Sequence, residues 1–382
     1  MIYLDHNATT PLDPRVLEAM LPFFTEQFGN AASRQHASGL AAARAVETAR
    51  AQVAEVLGAD PREIVWTSGA TESDNLALCG VARAPAYRKR HIVTVNTEHR
   101  AVLDPCEALE RQGYDVTWLG VEADGTLDLS RLAAAVTPET LLVSVMHANN
   151  ETGVVHPIEE IGALCRARGV LFHTDATQSF GKLPIDVDRM GIDLLSASAH
   201  KYYGPKGVGC LYVRRRDPRV RCEPLIYGGG HERGLRSGTL NVPGIVGMGY
   251  AATLGPDAGL GTLRDRLERG LFAEIDGVTV NGAGATRLPG TTNLSFLGVA
   301  AQRLMRRLPN VAVSSSAACT SARAQPSYVL GAMGCDEARV RGSLRFSVGR
   351  FTTADEVDAA VKAVSTAVVA VRATPDADGE AC

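Results

Sequence analysis

A chain of 382 residues is too long for one ordinary hydrophobic core, so two domains are expected. Apolar residues make up 45% and charged residues 21%, and the net charge of -3, from 39 basic against 42 acidic side chains, argues against direct contact with nucleic acid or an acidic membrane. No apolar run approaches the about 20 residues of a membrane helix, and the opening MIYLDHNATTPLDP turns polar too early for a signal peptide, so the expected location is the cytoplasm.

From the N-terminus, Gly39 to Leu57 has the Ala-rich, Arg/Glu-studded pattern of an amphipathic helix. Short β-branched runs then alternate with helical stretches, at 64–67, 92–95, 116–119, 141–145, 170–174, 194–196 and 209–213. Such alternation predicts crossover units on a mainly parallel, buried sheet. The stretch 255–259 (GPDAG) predicts a hinge. Beyond it come a helix near 260–275, strands near 278–281 and 292–297, and a closing helix near 353–372. The class is therefore α/β.

Ligands of such sheets sit beyond the carboxyl ends of the strands. Of the five lysines (89, 182, 201, 206 and 362), Lys201 follows the run at 194–196 in a His- and Tyr-rich, glycine-flanked setting, with Lys206 as its rival. Asp175 follows 170–174, with Gln178 three residues on. The stretch 67–75 (TSGATESDN) joins a strand to a helix through a small-residue turn whose free N–H groups suit a phosphate. Ser198 and His200 can add donors, His99 can stack on a ring and shuttle protons, and Asn150 can bond a phenolic oxygen. An amine, an acid, a phosphate cradle and a ring cover are the parts that a pyridoxal-phosphate (PLP) enzyme needs.

Eight cysteines, at 79, 106, 165, 210, 222, 319, 335 and 382, form no CxxC pair, so neither a zinc site nor a disulfide framework is expected. Cys319 stands apart, in a small, polar run from Ser314 to Ser327 that cannot build a core and is expected to be a mobile loop. Arg345, on a strand-like run, suits a substrate carboxylate.

The motifs YLDHNATTP (3–11), TSGATES (67–73), EH (98–99), NNETG (149–153), TDATQ (174–178), HKYYGPKG (200–207), RSGT (236–239) and SLRFSVGR (343–350) stand in one order along nearly the whole chain. Together with the serine-rich cysteine run they resemble the cysteine desulfurases of nitrogen fixation and iron–sulfur cluster assembly. These are fold-type I PLP enzymes of the aminotransferase class V branch. Ala31, Ala199 and Ser316 stand where the family usually has proline, glycine and glycine.

The resemblance implies a large PLP domain (14–255) with a mainly parallel seven-stranded sheet, and a smaller α/β domain (1–13 with 256–382) carrying the cysteine loop. It implies that Lys201 holds PLP, that Asp175 faces the ring nitrogen, and that Gln178 and Asn150 face the phenolic oxygen. His99 would stack on the ring and act in catalysis. Ala70, Thr71, Ser198 and His200 would hold the phosphate, joined by Thr239 from the partner subunit of a homodimer. Arg345, with Asn150, would bind L-cysteine. Cys319 would take its sulfur as a persulfide, releasing alanine, and pass the sulfur to an acceptor protein. A sister PLP enzyme, such as a selenocysteine lyase or an aminotransferase, would share Lys201 and Asp175 without needing Cys319. A catalytically silent scaffold would need none of them. The destination of the sulfur is not written in the sequence.

Overall fold

A computed structural model describes residues 1–315 and 326–374. Cys319, Ser316 and Cys382 lie outside the described residues. The chain opens with a two-residue strand, β1 (Ile2–Tyr3). The seven apolar runs become β2 (Ile64–Thr67), β3 (His91–Val95), β4 (Asp115–Leu119), β5 (Thr140–Ser144), β6 (Leu171–Asp175), β7 (Leu194–Ser198) and β8 (Gly209–Val213). They form one sheet in the order β2-β8-β7-β6-β5-β3-β4. Only β8 pairs antiparallel, with β2 and with β7, so it alone runs against the other six. Strands β3 and β5 to β8 are buried along their whole length, which is why they appear as unbroken runs rather than as alternating patterns. Two strands reach further than their runs at the carboxyl end: β6 takes in Asp175, and β7 continues to Ser198.

Helix 37–57 is capped by His36 Nδ1 and closed by left-handed Gly58. It lays Val46, Val53 and Leu57 on a core shared with Trp66 and Tyr212. A second core, under helix 70–83, covers the other face of the sheet.

Beyond residue 255, β9 (Val278–Asn281), β10 (Thr291–Phe296), β11 (Val311–Ala312), β12 (Ser314–Ser315) and β13 (Ser343–Ser347) follow. β12-β13-β10-β9 form an antiparallel sheet. Helices 260–274 and 354–373 share its core, the latter starting in a Thr353/Glu356 capping box. β1 pairs parallel with β11, and Leu4 is fully buried in the core of this smaller sheet. Residues 5–13 then pass back to the large sheet, where Thr10 N donates to the His200 carbonyl (2.9 Å) and Asp13 N to the Tyr203 carbonyl (3.1 Å). Arg350 staples the two parts. Its guanidinium reaches Asp13 (2.8 Å) and Asp257 (2.5 Å) and lies 4.2 Å from the Tyr203 ring centroid. Among the described residues no helix is long and apolar enough to cross a membrane, and no cluster of three or more His, Cys, Asp or Glu could hold a metal ion.

Candidate active site

The carboxyl ends of β2, β3, β5, β6 and β7 converge on one cavity of about 530 Å³. β2 supplies Ser68 to Glu72, β3 leads to His99, and β5 leads to Asn150. β6 supplies Asp175 and Gln178, and β7 supplies Ser198, His200 and Lys201. Asn7, Ala8 and Thr9 close it from the N-terminal segment, and Arg345 enters from β13. Among the described residues, the sheet thus gathers every expected site residue except Thr239, which is exposed and does not line the cavity.

Lys201 ends a short turn (Ala199–Lys201), and its Nζ donates to the Asn7 (2.7 Å) and Ala8 (2.8 Å) carbonyls. Its rival Lys206 also lines the cavity but is exposed, whereas Lys201 is half-buried. The Asp175 carboxylate is 5% exposed and oriented by the Thr177 N–H at 2.8 Å.

Opposite lies the start of helix 70–83. Its N-cap is Gly69 at φ 156°, and no side chain caps it. The first N–H groups of a helix have no partner within it, so an uncapped start aimed into a cavity is an anion cradle. A Cβ on Gly209 would sit 2.7 Å from Gly69 Cα, so β8 can pass the turn only with glycine there. Ser198 Oγ lies beside this cradle: a Cβ on Gly69 would stand 3.7 Å from it.

His99 caps the next helix, its Nδ1 accepting from Ala101 N at 3.1 Å. That bond needs a lone pair on Nδ1, so the neutral ring carries its proton on Nε2. Burial lowers the pKa of His99, opposed by the charge of Asp175 and reinforced by that of Lys201. Burial also lowers His200 to about 4, helped by Lys201. Its Nδ1 pairs with Thr9 Oγ1 at 3.1 Å.

The Arg345 guanidinium is buried. Nη1 donates to the Asn150 carbonyl (2.9 Å) and Nη2 to Asp5 Oδ1 (2.7 Å). An incoming carboxylate therefore shares Arg345 with Asp5. The Asn150 side-chain oxygen is buried without a partner at the cavity wall.

Several participants were not singled out from sequence. Asp5 and Asn7 belong to a quoted motif but carry no periodic signal. Glu98, Asp74 and His173 form a buried polar layer behind the site. His173 bonds Ser144 Oγ (2.8 Å) and Ser196 Oγ (3.1 Å), with Asp74 Oδ1 3.6 Å away. Burial, and then the charge of Asp175, pushes the Asp74 and Glu98 carboxyls well up, favouring their neutral acid forms. Lys182, four residues after Gln178, is the last.

Strand-end amine, carboxylate and anion cradle define a site for a phosphorylated carbonyl compound on a doubly covered α/β sheet. The family model for aminotransferase class-V matches residues 2–360, and the chain belongs to that family. A cysteine desulfurase IscS of Anaeromyxobacter sp. (strain Fw109-5) is 60% identical over 369 residues, 95% of this chain and 91% of that protein. A mitochondrial cysteine desulfurase of Eremothecium gossypii is 53% identical, covering 97% of this chain and 76% of that one. Among solved structures, a NifS-like protein superposes with a TM-score of 0.89 at 38% identity, covering 96% and 99% of the two chains. SspA in complex with cysteine superposes at 0.84 with 39% identity, covering 92% and 100%. The fold is the fold-type I architecture expected from the motifs.

Proposed function

We propose that this chain is a PLP-dependent cysteine desulfurase, which takes sulfur from L-cysteine onto Cys319, releases L-alanine and passes the sulfur to an acceptor protein in the cytoplasm. The observation that carries the reading is the single cavity in which Lys201, Asp175, His99 and an uncapped helix start meet Arg345. The residues present fit PLP. The N–H groups of Ala70 and Thr71, with Ser198 and His200, suit its phosphate. Asp175 suits its ring nitrogen, Gln178 and Asn150 its phenolic oxygen, and Lys201 its aldehyde. In this reading residues 14–255 hold the cofactor, and residues 1–13 with 256–382 form the smaller unit that carries Cys319.

PLP, when bound, supplies an electron sink for the charge that develops on the α-carbon of cysteine. Arg345 binds the cysteine carboxylate, with Asp5 holding its guanidinium plane. Lys201 Nζ takes the α-proton. Asp175 would hold the ring nitrogen and keep its proton through a charge-assisted hydrogen bond. His99, neutral and protonated on Nε2, would cover the ring and serve as a proton donor. The Cys319 thiolate attacks the substrate sulfur and the C–S bond breaks. The enzyme gains the S–S bond of a persulfide, and the carbon skeleton, completed by a proton, leaves as alanine.

The direct test is stoichiometric. With L-cysteine and a thiol reductant, the protein yields alanine and sulfide in equal amounts. Pyruvate in place of alanine, or turnover of other amino acids without sulfide, would overturn the reading.

The enzyme is proposed to be a homodimer, because Thr239 lies exposed and away from the cavity of its own chain. The loop that carries it is held by the buried Glu232, which pairs with Arg50 at 2.8 Å and accepts from Trp66 N at 2.9 Å. Thr239 is thus presented outward rather than folded home. Light scattering at micromolar concentration is expected to give twice the monomer mass. A monomer that retains PLP would refute the shared site.

A further inference from the structure

The turn that follows β6 brings a second lysine behind the cavity wall. Its backbone is fixed by Phe180 N to the Ala176 carbonyl (2.8 Å) and Lys182 N to the Ser179 carbonyl (2.9 Å). Gln178 and Lys182, four residues apart, lie side by side. Lys182 Nζ donates to Gln178 Oε1 at 3.1 Å, and Gln178 Nε2 donates to the Asn7 carbonyl at 2.9 Å. That same carbonyl accepts from Lys201 Nζ at 2.7 Å.

A side-chain amide has two ends of similar shape and opposite hydrogen-bonding character. Here both ends are assigned by neighbours that cannot be exchanged. The Asn7 carbonyl can only accept, so it takes an N–H; the Lys182 ammonium can only donate, so it takes the oxygen. The second N–H of Nε2 is left for the cavity that Gln178 lines. Burial, with the charges of Lys201 and Arg345, lowers Lys182 to about 7. Asp257 opposes that fall, and His6 and His200 face the amine too. An amine that has lost its charge still offers an N–H to the same oxygen.

We propose that Lys182 is a positioning residue. It fixes the Gln178 amide with its oxygen turned away from the cavity, so that Gln178 presents an N–H donor to an anionic oxygen of the bound cofactor. This rests on the PLP reading and adds to it a group that, together with the Asn7 carbonyl, sets which way Gln178 points. Without Lys182, the buried oxygen of Gln178 lacks its donor and the amide, held by the Asn7 carbonyl alone, turns more readily, and an oxygen facing an anion repels it.

The experiment strips the protein of cofactor and titrates it with PLP, in the wild type, Lys182→Met, Lys182→Arg, Gln178→Leu and the Lys182→Met/Gln178→Leu pair. Three quantities are read: PLP affinity, the pH midpoint of the bound cofactor's visible absorbance change, and the melting temperature of each apoprotein. Lys182→Met is expected to lose about tenfold in PLP affinity, the share of one hydrogen bond. Its absorbance midpoint is expected to move up, because a lost donor destabilises the anionic oxygen. Lys182→Arg, which keeps a donor in place, is expected to restore most of both. In the Gln178→Leu background, Lys182→Met is expected to add nothing, the mark of two residues acting as one unit. Wild-type values in Lys182→Met, or the same loss with and without Gln178, would overturn the proposal. If the Lys182→Met apoprotein does not fold, Lys182→Gln takes its place in the cycle and is judged by the same two outcomes. A wild type that binds no PLP sinks the cofactor reading instead.

Discussion

Replacing Lys201 by alanine is expected to leave a folded protein that binds PLP only reversibly and turns cysteine over at least about a thousandfold more slowly. The size of the effect follows from two roles on one atom. Nζ is proposed both to anchor the cofactor and to take the α-proton, and no other amine at the cavity stands in the same place. Lys206 is exposed, and Lys182 is held by the Gln178 oxygen at 3.1 Å. Lys182 is nonetheless the stronger chemical competitor, since a pKa lowered to about 7 leaves a large share of neutral amine at physiological pH. Borohydride reduction followed by peptide mapping separates the three. Pyridoxyl is expected on Lys201; on Lys182 or Lys206 it would overturn the assignment. Folding should survive, because Lys201 Nζ donates to the Asn7 and Ala8 carbonyls at the cavity edge rather than bracing the core.

The parts of this molecule that could be read from sequence are those that local physics writes locally. Strands buried on both faces are predominantly apolar, so β3 and β5 to β8 announced themselves, and the residues at or just past their ends marked the site. The anion cradle was visible in TSGATES because an uncapped helix start needs small residues. What stayed hidden joins distant stretches with no periodicity to betray them. Asp5 meets Arg345 across 340 positions, and the Asn7 carbonyl collects both Lys201 and Gln178. Asp74 and Glu98 looked like ordinary polar residues of helix and loop, yet they are fully buried beside His173 and Met146. Lys182 was one of five lysines, set apart only by a turn that places it over Gln178. The staple of Arg350 on Asp13, Asp257 and Tyr203 likewise requires the fold before it exists.

Cys319→Ser is expected to keep PLP binding and the first spectral response to cysteine, and to lose persulfide and nearly all alanine release. The described cysteines supply an argument by comparison. Burial raises the thiol pKa of Cys79, Cys106 and Cys335, and carries Cys165, Cys210 and Cys222 up to about 12. A thiol so shifted is scarcely ionised at neutral pH, and the thiolate is the nucleophile. None of these six lines the cavity. In sequence, Cys319 falls between two described points. β12 ends at Ser315, opposite Leu344 and one residue from the Ser314–Arg345 pair. The chain is anchored again at Ser327, whose Oγ donates to Glu151 Oε2 at 2.5 Å, next to Asn150. Each anchor adjoins a residue of the wall where the cysteine carboxylate is proposed to bind: Ser314 pairs with Arg345, and Ser327 holds the neighbour of Asn150. Serine there keeps the size of the side chain but is no nucleophile toward sulfur at neutral pH. In the proposed mechanism, binding of cysteine and removal of its α-proton use Arg345 and Lys201, not the thiol, so the early absorbance change is expected to persist while the C–S bond stays intact. The assay is alanine formation over single and multiple turnovers, with the protein mass read for an added sulfur atom. Alanine at the wild-type rate from Cys319→Ser would refute the desulfurase mechanism and leave the PLP site standing.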